Sequence, residues 1–154
     1  MPYVRVGVVR RGTARREVQI GVPAAAAWAV VTRADILHLW FPGIDSCEVE
    51  GDQRTIHTGT GMALVETILT NDPTQRRFQY TLTGGFFSEH LGSIDVIELA
   101  EDRCLVVYTS DVRPAVMSLI LGGATHGALR ELRRQLEDGE GPALDALAQP
   151  SGEA

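Results

Sequence analysis

The sequence predicts an α+β domain, in which a curved antiparallel sheet of about seven strands wraps around one long C-terminal helix and two short helices follow the first strand. Three observations carry this expectation. Alternating apolar and polar segments fill residues 44–113, separated by breaks of two or three residues such as Gly51-Asp52 and Gly84-Gly85. Breaks that short oblige neighbouring strands to run antiparallel. A single long amphipathic stretch then runs from Pro114 to about Glu137 and meets a natural stop at Gly139. Such a stripe must be buried on something, and the only partner large enough is the concave face of the sheet.

The elements follow in order. "YVRVGVV" and "REVQIGV" both alternate and read as strands, with "RRGTAR" as a hairpin turn between them. The first of these segments, residues 3–10, is an extra strand on the sheet edge or an oligomer contact. Pro23 opens "AAAAWAVV", a strong helix former with proline at its start. "DILHLW" reads as a second short helix, ended by Pro42-Gly43. Strands are expected near 44–50, 53–58, 62–70, 77–83, 89–99 and 104–112. Residues 1–139 form one domain, and residues 140–154 are expected to be a flexible tail.

Composition narrows the function. The chain of 154 residues is long enough for one real core. Its net charge of −6 argues against a general nucleic-acid surface. All basic residues are arginine, which fits a high-GC bacterial coding bias. Cys47 and Cys104 have neither close spacing nor metal-like context. The N-terminal stretch lacks the apolar run of a signal peptide, so a cytoplasmic protein with reduced thiols is expected.

The stretch "SLILGGATHG" needs its own explanation, because each glycine inside a helix costs roughly 1 kcal/mol relative to alanine. Gly123 and Gly127 are four residues apart, as in membrane-helix contacts. The apolar run before them is much shorter than the ~20 residues a bilayer requires. The remaining reading is that Gly123, Ala124 and Gly127 shave the helix where it faces a space above the sheet. "GTGMAL" lacks the third glycine of a dinucleotide fingerprint and joins two strands. "GGATHG" has no lysine and is no phosphate loop, and no serine elbow is present.

Six segments together resemble the START-like, or SRPBCC, superfamily and its polyketide cyclase/dehydrase branch. They are "VQIGVPAAAAWAVV", "LWFPGIDSCEVEG", "GDQR", "ETILTND" followed by "RRFQY", "YTSDVRP" and the helix ending "LRELRRQL". The resemblance covers about Arg16 to Glu137 and implies the helix-grip fold of the birch-pollen-allergen type. That fold hosts carriers, receptors, cyclases and chaperone activators, so fold alone does not give the activity.

Site candidates come partly from strand parity and partly from the resemblance. In "MALVETILT" both faces are apolar, and the resemblance points Met62, Leu64, Glu66, Ile68 and Thr70 inward. An inward Glu66 would be desolvated and able to move a proton, or it would pair with an arginine and only hold strands together. Arg54 shares a face with Ile56 and Thr58 and is the obvious partner. The resemblance to aromatase-like cyclases implies that an inward arginine there holds a substrate oxygen. The same arginine equally suits the carboxylate of a passive ligand, or a place at the strand rim. The resemblance also places Phe78, Tyr80 and Leu82 inward, with Phe86 and Phe87 over a cavity mouth. Arg54, Glu66 and Tyr80 are thus the candidate catalytic set. Phe41, Ile56, Thr58, Leu64, Ile68, Phe78, Leu82, Phe86, Leu91, Thr109, Ile120 and Ala124 are the candidate lining. Sequence leaves the facing of His57, His90, Tyr108 and His126 open, although His57 has outward parity. No histidine pair has metal spacing, so neither metal nor cofactor is expected.

Three functions compete. The first is binding of a small hydrophobic molecule (a lipid, acyl chain or polyketide) between sheet and helix. The second is a polyketide cyclase, aromatase or dehydratase using Arg54 and Glu66. The third is a protein-interaction module of the chaperone-activator type. A homodimer is compatible with each, and nucleic acid and a membrane span with none.

Overall fold

The computed structural model describes residues 10–149. The expected strand over residues 3–10 lies almost wholly outside the described residues. The chain order is strand β1 (Gly12–Ile20), helix α1 (Ala24–Val31), a 3₁₀ helix (Ala34–Leu39), strands β2 (Ile44–Glu50), β3 (Gln53–Thr58), β4 (Ala63–Asp72), β5 (Arg77–Leu82), β6 (Glu89–Ala100) and β7 (Arg103–Arg113), and helices α2 (Met117–Asp138) and α3 (Pro142–Ala148). The strands form one antiparallel sheet in the order β1-β7-β6-β5-β4-β3-β2. Consecutive β1 and β2 therefore sit at opposite edges, and α1 with the 3₁₀ helix carries the chain between them.

Period-two patterning sets the two faces of the sheet. On β7, Cys104, Val106, Tyr108, Ser110 and Val112 are buried and alternate with more exposed neighbours. On β6 the same phase buries His90, Gly92, Ile94 and Val96. Gly92 lies opposite Tyr80, and a Cβ there would come within 2.4 Å of the Tyr80 ring. The absent side chain lets that ring lie across β6.

Three expectations need correction. The segment "RRGTAR" is no hairpin turn, because Gly12–Arg15 already pair with β7 residues Val112 to Thr109. Thr70 does not share the inward face of Glu66. The β4–β5 register shifts between Ile68 and Thr70, which turns Thr70 to the outer face. There its hydroxyl donates to Gln79 Oε1 at 3.0 Å. A bulge resets parity without leaving a mark in the alternation.

The third correction concerns the C-terminal tail. Residues 142–148 form α3, which packs on α1, α2 and the 3₁₀ helix. Gln135, buried on α2, ties it down. Its Oε1 accepts from the Ala143 amide at 2.9 Å, and its Nε2 donates to the Leu39 carbonyl at 2.9 Å.

Helix α2 lies along β1 and β7, with Thr125, Ala128, Leu129, Leu132 and Leu136 buried. The helix comes close to β1 at Gly122, where a Cβ would stand 2.8 Å from the end of the Arg16 side chain and 3.4 Å from Ala14 Cβ. Gly139 ends the helix in the left-handed conformation at φ 71°. Among the described residues, no helix is long and apolar enough to cross a membrane.

Candidate functional site

The first half of α2 does not close onto β4 and β5. Between them lies a cleft of about 520 Å³, walled by Met62 to Val65, by Leu82 to Phe87, and by Met117, Ile120 and Leu121. None of these side chains is charged. Phe86 is 73 % exposed and Ile120 64 % exposed, so the mouth has an apolar rim. Gly84 and Gly85, both at positive φ, form the turn that carries Phe86 and Phe87.

Behind one wall of the cleft lies a polar cluster. Arg54 and Glu66 are directly opposed in the β3–β4 register, and each is 2 % exposed. Arg54 Nε donates to Glu66 Oε2 at 2.5 Å, and Nη1 donates to the Ala34 carbonyl at 3.3 Å. The guanidinium carbon lies 5.4 Å from the centre of the Phe78 ring and 5.2 Å from that of Tyr80, within cation–π range. The Tyr80 and Tyr108 hydroxyls share a hydrogen bond at 2.6 Å. Arg54 Nη2 and Trp40 Nε1 are buried without a hydrogen-bond partner among the described residues.

The electrostatics follow from burial. Desolvation is the largest single influence and works against the Arg54 charge, but Glu66, Tyr80 and Tyr108 together outweigh it, and the guanidinium stays protonated. Burial pushes the Glu66 carboxyl above the usual carboxylate range, against the opposing pull of Arg54. Burial raises both phenols, so Tyr80 and Tyr108 remain neutral. The imidazole of His90 is desolvated and pushed down to about 4.

The sequence-predicted residues therefore separate into groups. Leu64, Leu82, Phe86 and Ile120 line the cleft. Arg54, Glu66, Tyr80, Phe78 and Ile56 are buried behind it, with Phe41 and Ile68 packed partly buried against that core. Thr58 sits at a turn, where its hydroxyl bonds to Thr60 and Met62.

Five expected residues do not face the cleft. Leu91 and Thr109 have the opposite phase to buried His90 and Tyr108 on β6 and β7, and so lie on the outer face. Ala124 is exposed on α2 and absent from the cleft walls. Gly123 does not shave the helix for the cleft either. A Cβ at Gly123 or Gly127 would meet nothing within 4 Å, and both border an outward groove with His126 and Arg130.

Sequence reading left Tyr108 and His90 unassigned. The even-numbered phase running from Cys104 to Val112 would have placed Tyr108 inward. The antiparallel pairing Ile94–Tyr108 then carries the same phase to His90.

Comparison with known proteins agrees with this architecture. XoxI from Bacillus cereus superposes with a TM-score of 0.78 at 18 % identity, over 85 % of this chain and 99 % of that one. A START superfamily protein from Mycobacterium smegmatis gives 0.72 at 14 % identity, over 83 % and 99 %. Norcoclaurine synthase from Thalictrum flavum, in complex with dopamine and hydroxybenzaldehyde, gives 0.69 at 13 % identity, over 86 % and 90 %. No curated protein matches the sequence. At these identities the superpositions speak for the START-like helix-grip fold alone. The sequence model of the family described as "Polyketide cyclase / dehydrase and lipid transport" matches residues 11–138. With nearly the whole described chain inside that match, the protein belongs to this polyketide cyclase/dehydrase and lipid-transport family of START-like domains.

Proposed function

We propose that the protein binds a small hydrophobic molecule, a lipid, acyl or polyketide-like compound, in the cleft between the sheet and the first half of α2. The observation that carries this reading is the cleft itself: about 520 Å³ with uncharged, largely apolar walls and an aromatic rim. That is the size and character of a small-molecule site. The family description, which includes lipid transport, supports the same class of ligand.

Catalysis by Arg54 and Glu66 is the second reading, and one observation favours it. Arg54 Nη2 is a buried donor with no acceptor, and a substrate oxygen would satisfy it. Against this stands the 2 % exposure of both residues. Neither residue is among the walls of the cleft.

Native mass spectrometry of freshly purified protein, with organic extraction, tests the binding reading. A discrete stoichiometric adduct is expected in the wild type and in Gly123→Leu, whose new side chain points away from the cleft. Leu121→Trp should lose it, because an indole there fills the cleft. An adduct that survives Leu121→Trp and disappears in Gly123→Leu would place the ligand elsewhere. No adduct from any variant, with no binding of added apolar probes, would favour the protein-interaction reading.

A further inference from the structure

The cleft walls carry no charge, and their one side-chain hydroxyl, that of Thr83, belongs to an exposed residue and makes only a long contact. Thr83 Oγ1 donates to the Val65 carbonyl at 3.5 Å. Beside them stands a donor that is not committed. His90 projects to the concave side of β6 and is 5 % exposed. Its Nδ1 accepts the Leu82 backbone amide at 3.1 Å. An amide can only donate, so the Nδ1 lone pair is taken and the ring proton must reside on Nε2.

Nε2 has no hydrogen-bond partner among the described residues. It is also absent from the side-chain atoms sealed without a partner, which are Trp40 Nε1 and Arg54 Nη2. Nε2 therefore keeps some accessible surface, although His90 stands just behind the cleft walls and is not one of them. Its direction of access is set by its neighbours. The ring is held between Tyr80 and Phe87, each with its ring centre 5.4 Å away. Phe87 and Leu82, both in contact with His90, are walls of the cleft.

We propose that His90 is the polar recognition residue of the cleft, and that its Nε2–H donates to a neutral carbonyl oxygen (ketone, ester or amide) of an otherwise apolar ligand. The inference rests on the cleft being the binding site and narrows the ligand class. A neutral imidazole among uncharged walls offers nothing to balance a carboxylate. A free fatty acid would leave its charge poorly solvated, whereas a carbonyl compound gains one hydrogen bond. The desolvation that holds the ring at about 4 keeps it neutral under ordinary conditions.

Two fluorescent probes separate this inference from the reading beneath it. One is 6-propionyl-2-dimethylaminonaphthalene, whose emission moves to longer wavelength when its ketone accepts a hydrogen bond. The other is the 6-propyl analogue, which lacks the carbonyl. His90→Phe should weaken the ketone about tenfold, the worth of one neutral hydrogen bond, and leave the analogue within about twofold. Bound ketone should emit at longer wavelength in wild type than in His90→Phe. His90→Gln, which offers an oxygen to the Leu82 amide and an N–H to the ligand, should restore ketone binding.

Equal loss of both probes in His90→Phe, or no loss of either, would overturn the proposal and leave the cleft reading standing. Failure of both probes to bind wild type would overturn the two together. If His90→Phe does not fold, long-range proton–nitrogen spectra of wild type decide the matter. The Nε2 resonance should shift on adding the ketone and not on adding the analogue, and an unmoved resonance would sink the idea.

Discussion

The two halves of α2 make different surfaces from one helix. Over its second half Leu129, Leu132 and Leu136 are buried against the sheet and the short helices. Over its first half Leu119 and Ile120 are exposed and the helix stands away from β4 and β5. The charged pair singled out from sequence lies under neither opening. It sits behind the cleft wall in a sealed polar cluster, while the open region is uncharged. Chemistry-bearing residue types therefore mark where this core is held together, and the apolar positions mark where it is accessible. A buried Arg–Glu pair on adjacent strands fixes register and facing, because a slip by one residue would strand both charges.

The largest expected effect tests whether the cluster is sealed. Glu66→Leu leaves the Arg54 guanidinium buried without its counter-charge, and arginine cannot escape by losing a proton. A loss of about 3–5 kcal/mol in urea denaturation is expected. Arg54→Met should cost less, because the Glu66 carboxyl, already pushed upward by burial, can take up a proton and become neutral. If Glu66→Leu cost under about 1 kcal/mol, the guanidinium would be finding water through the cleft wall. The catalytic reading of Arg54 would then regain its footing.

The boundary between the two regions has its own signature, carried by His90. Its folded value of about 4 lies below the usual 6.5, so folding favours the neutral ring. That contribution is fully present above pH 6.5 and is lost as pH falls toward 4. It amounts to roughly 3 kcal/mol across the window. The stability difference between wild type and His90→Gln should therefore shrink by that amount from neutral pH to pH 4. Glu66 has a raised value and drifts in the opposite sense, but it is common to both proteins and cancels. A difference independent of pH would mean that the imidazole is solvated and belongs to the open side of the boundary.

How much of this was legible in sequence depends on the kind of signal. The order of elements along the chain, the long helix and its stop at Gly139 were readable because short breaks and a left-handed glycine act locally. The facing of Arg54, Glu66 and Tyr80 needed the family resemblance, because "MALVETILT" is apolar on both faces. Thr109 was misplaced although the even-numbered apolar phase from Cys104 to Val112 turns it outward, and Leu91 because its phase follows only from pairing with β7. Thr70 was misplaced because the bulge at Leu69 leaves the alternation intact. The α3 contact escaped notice for a related reason. Seven residues rich in alanine and leucine look like a loose tail until Gln135, in the last turn of α2, accepts the Ala143 amide and so anchors them.

The smallest effect concerns the glycines of the first half of α2, and it tests whether openness there serves the cleft. Gly122 has an internal reason to be glycine, in its close approach to Ala14 and Arg16. Gly123 and Gly127 have none, since an added Cβ would meet nothing within 4 Å and neither has positive φ. In a helix interior, Gly→Ala at such positions removes backbone freedom from the unfolded chain. Each substitution should stabilise by about 0.5–1 kcal/mol. Thermal denaturation should show the gain, and probe binding in the cleft should not change. Gly122→Ala should gain less, because the new methyl must first displace the end of the flexible Arg16 side chain, 2.8 Å away. If Gly123→Ala weakened ligand binding, the helix face that now looks outward would have to belong to the site. The division of α2 into a packing half and an open half would then be drawn in the wrong place.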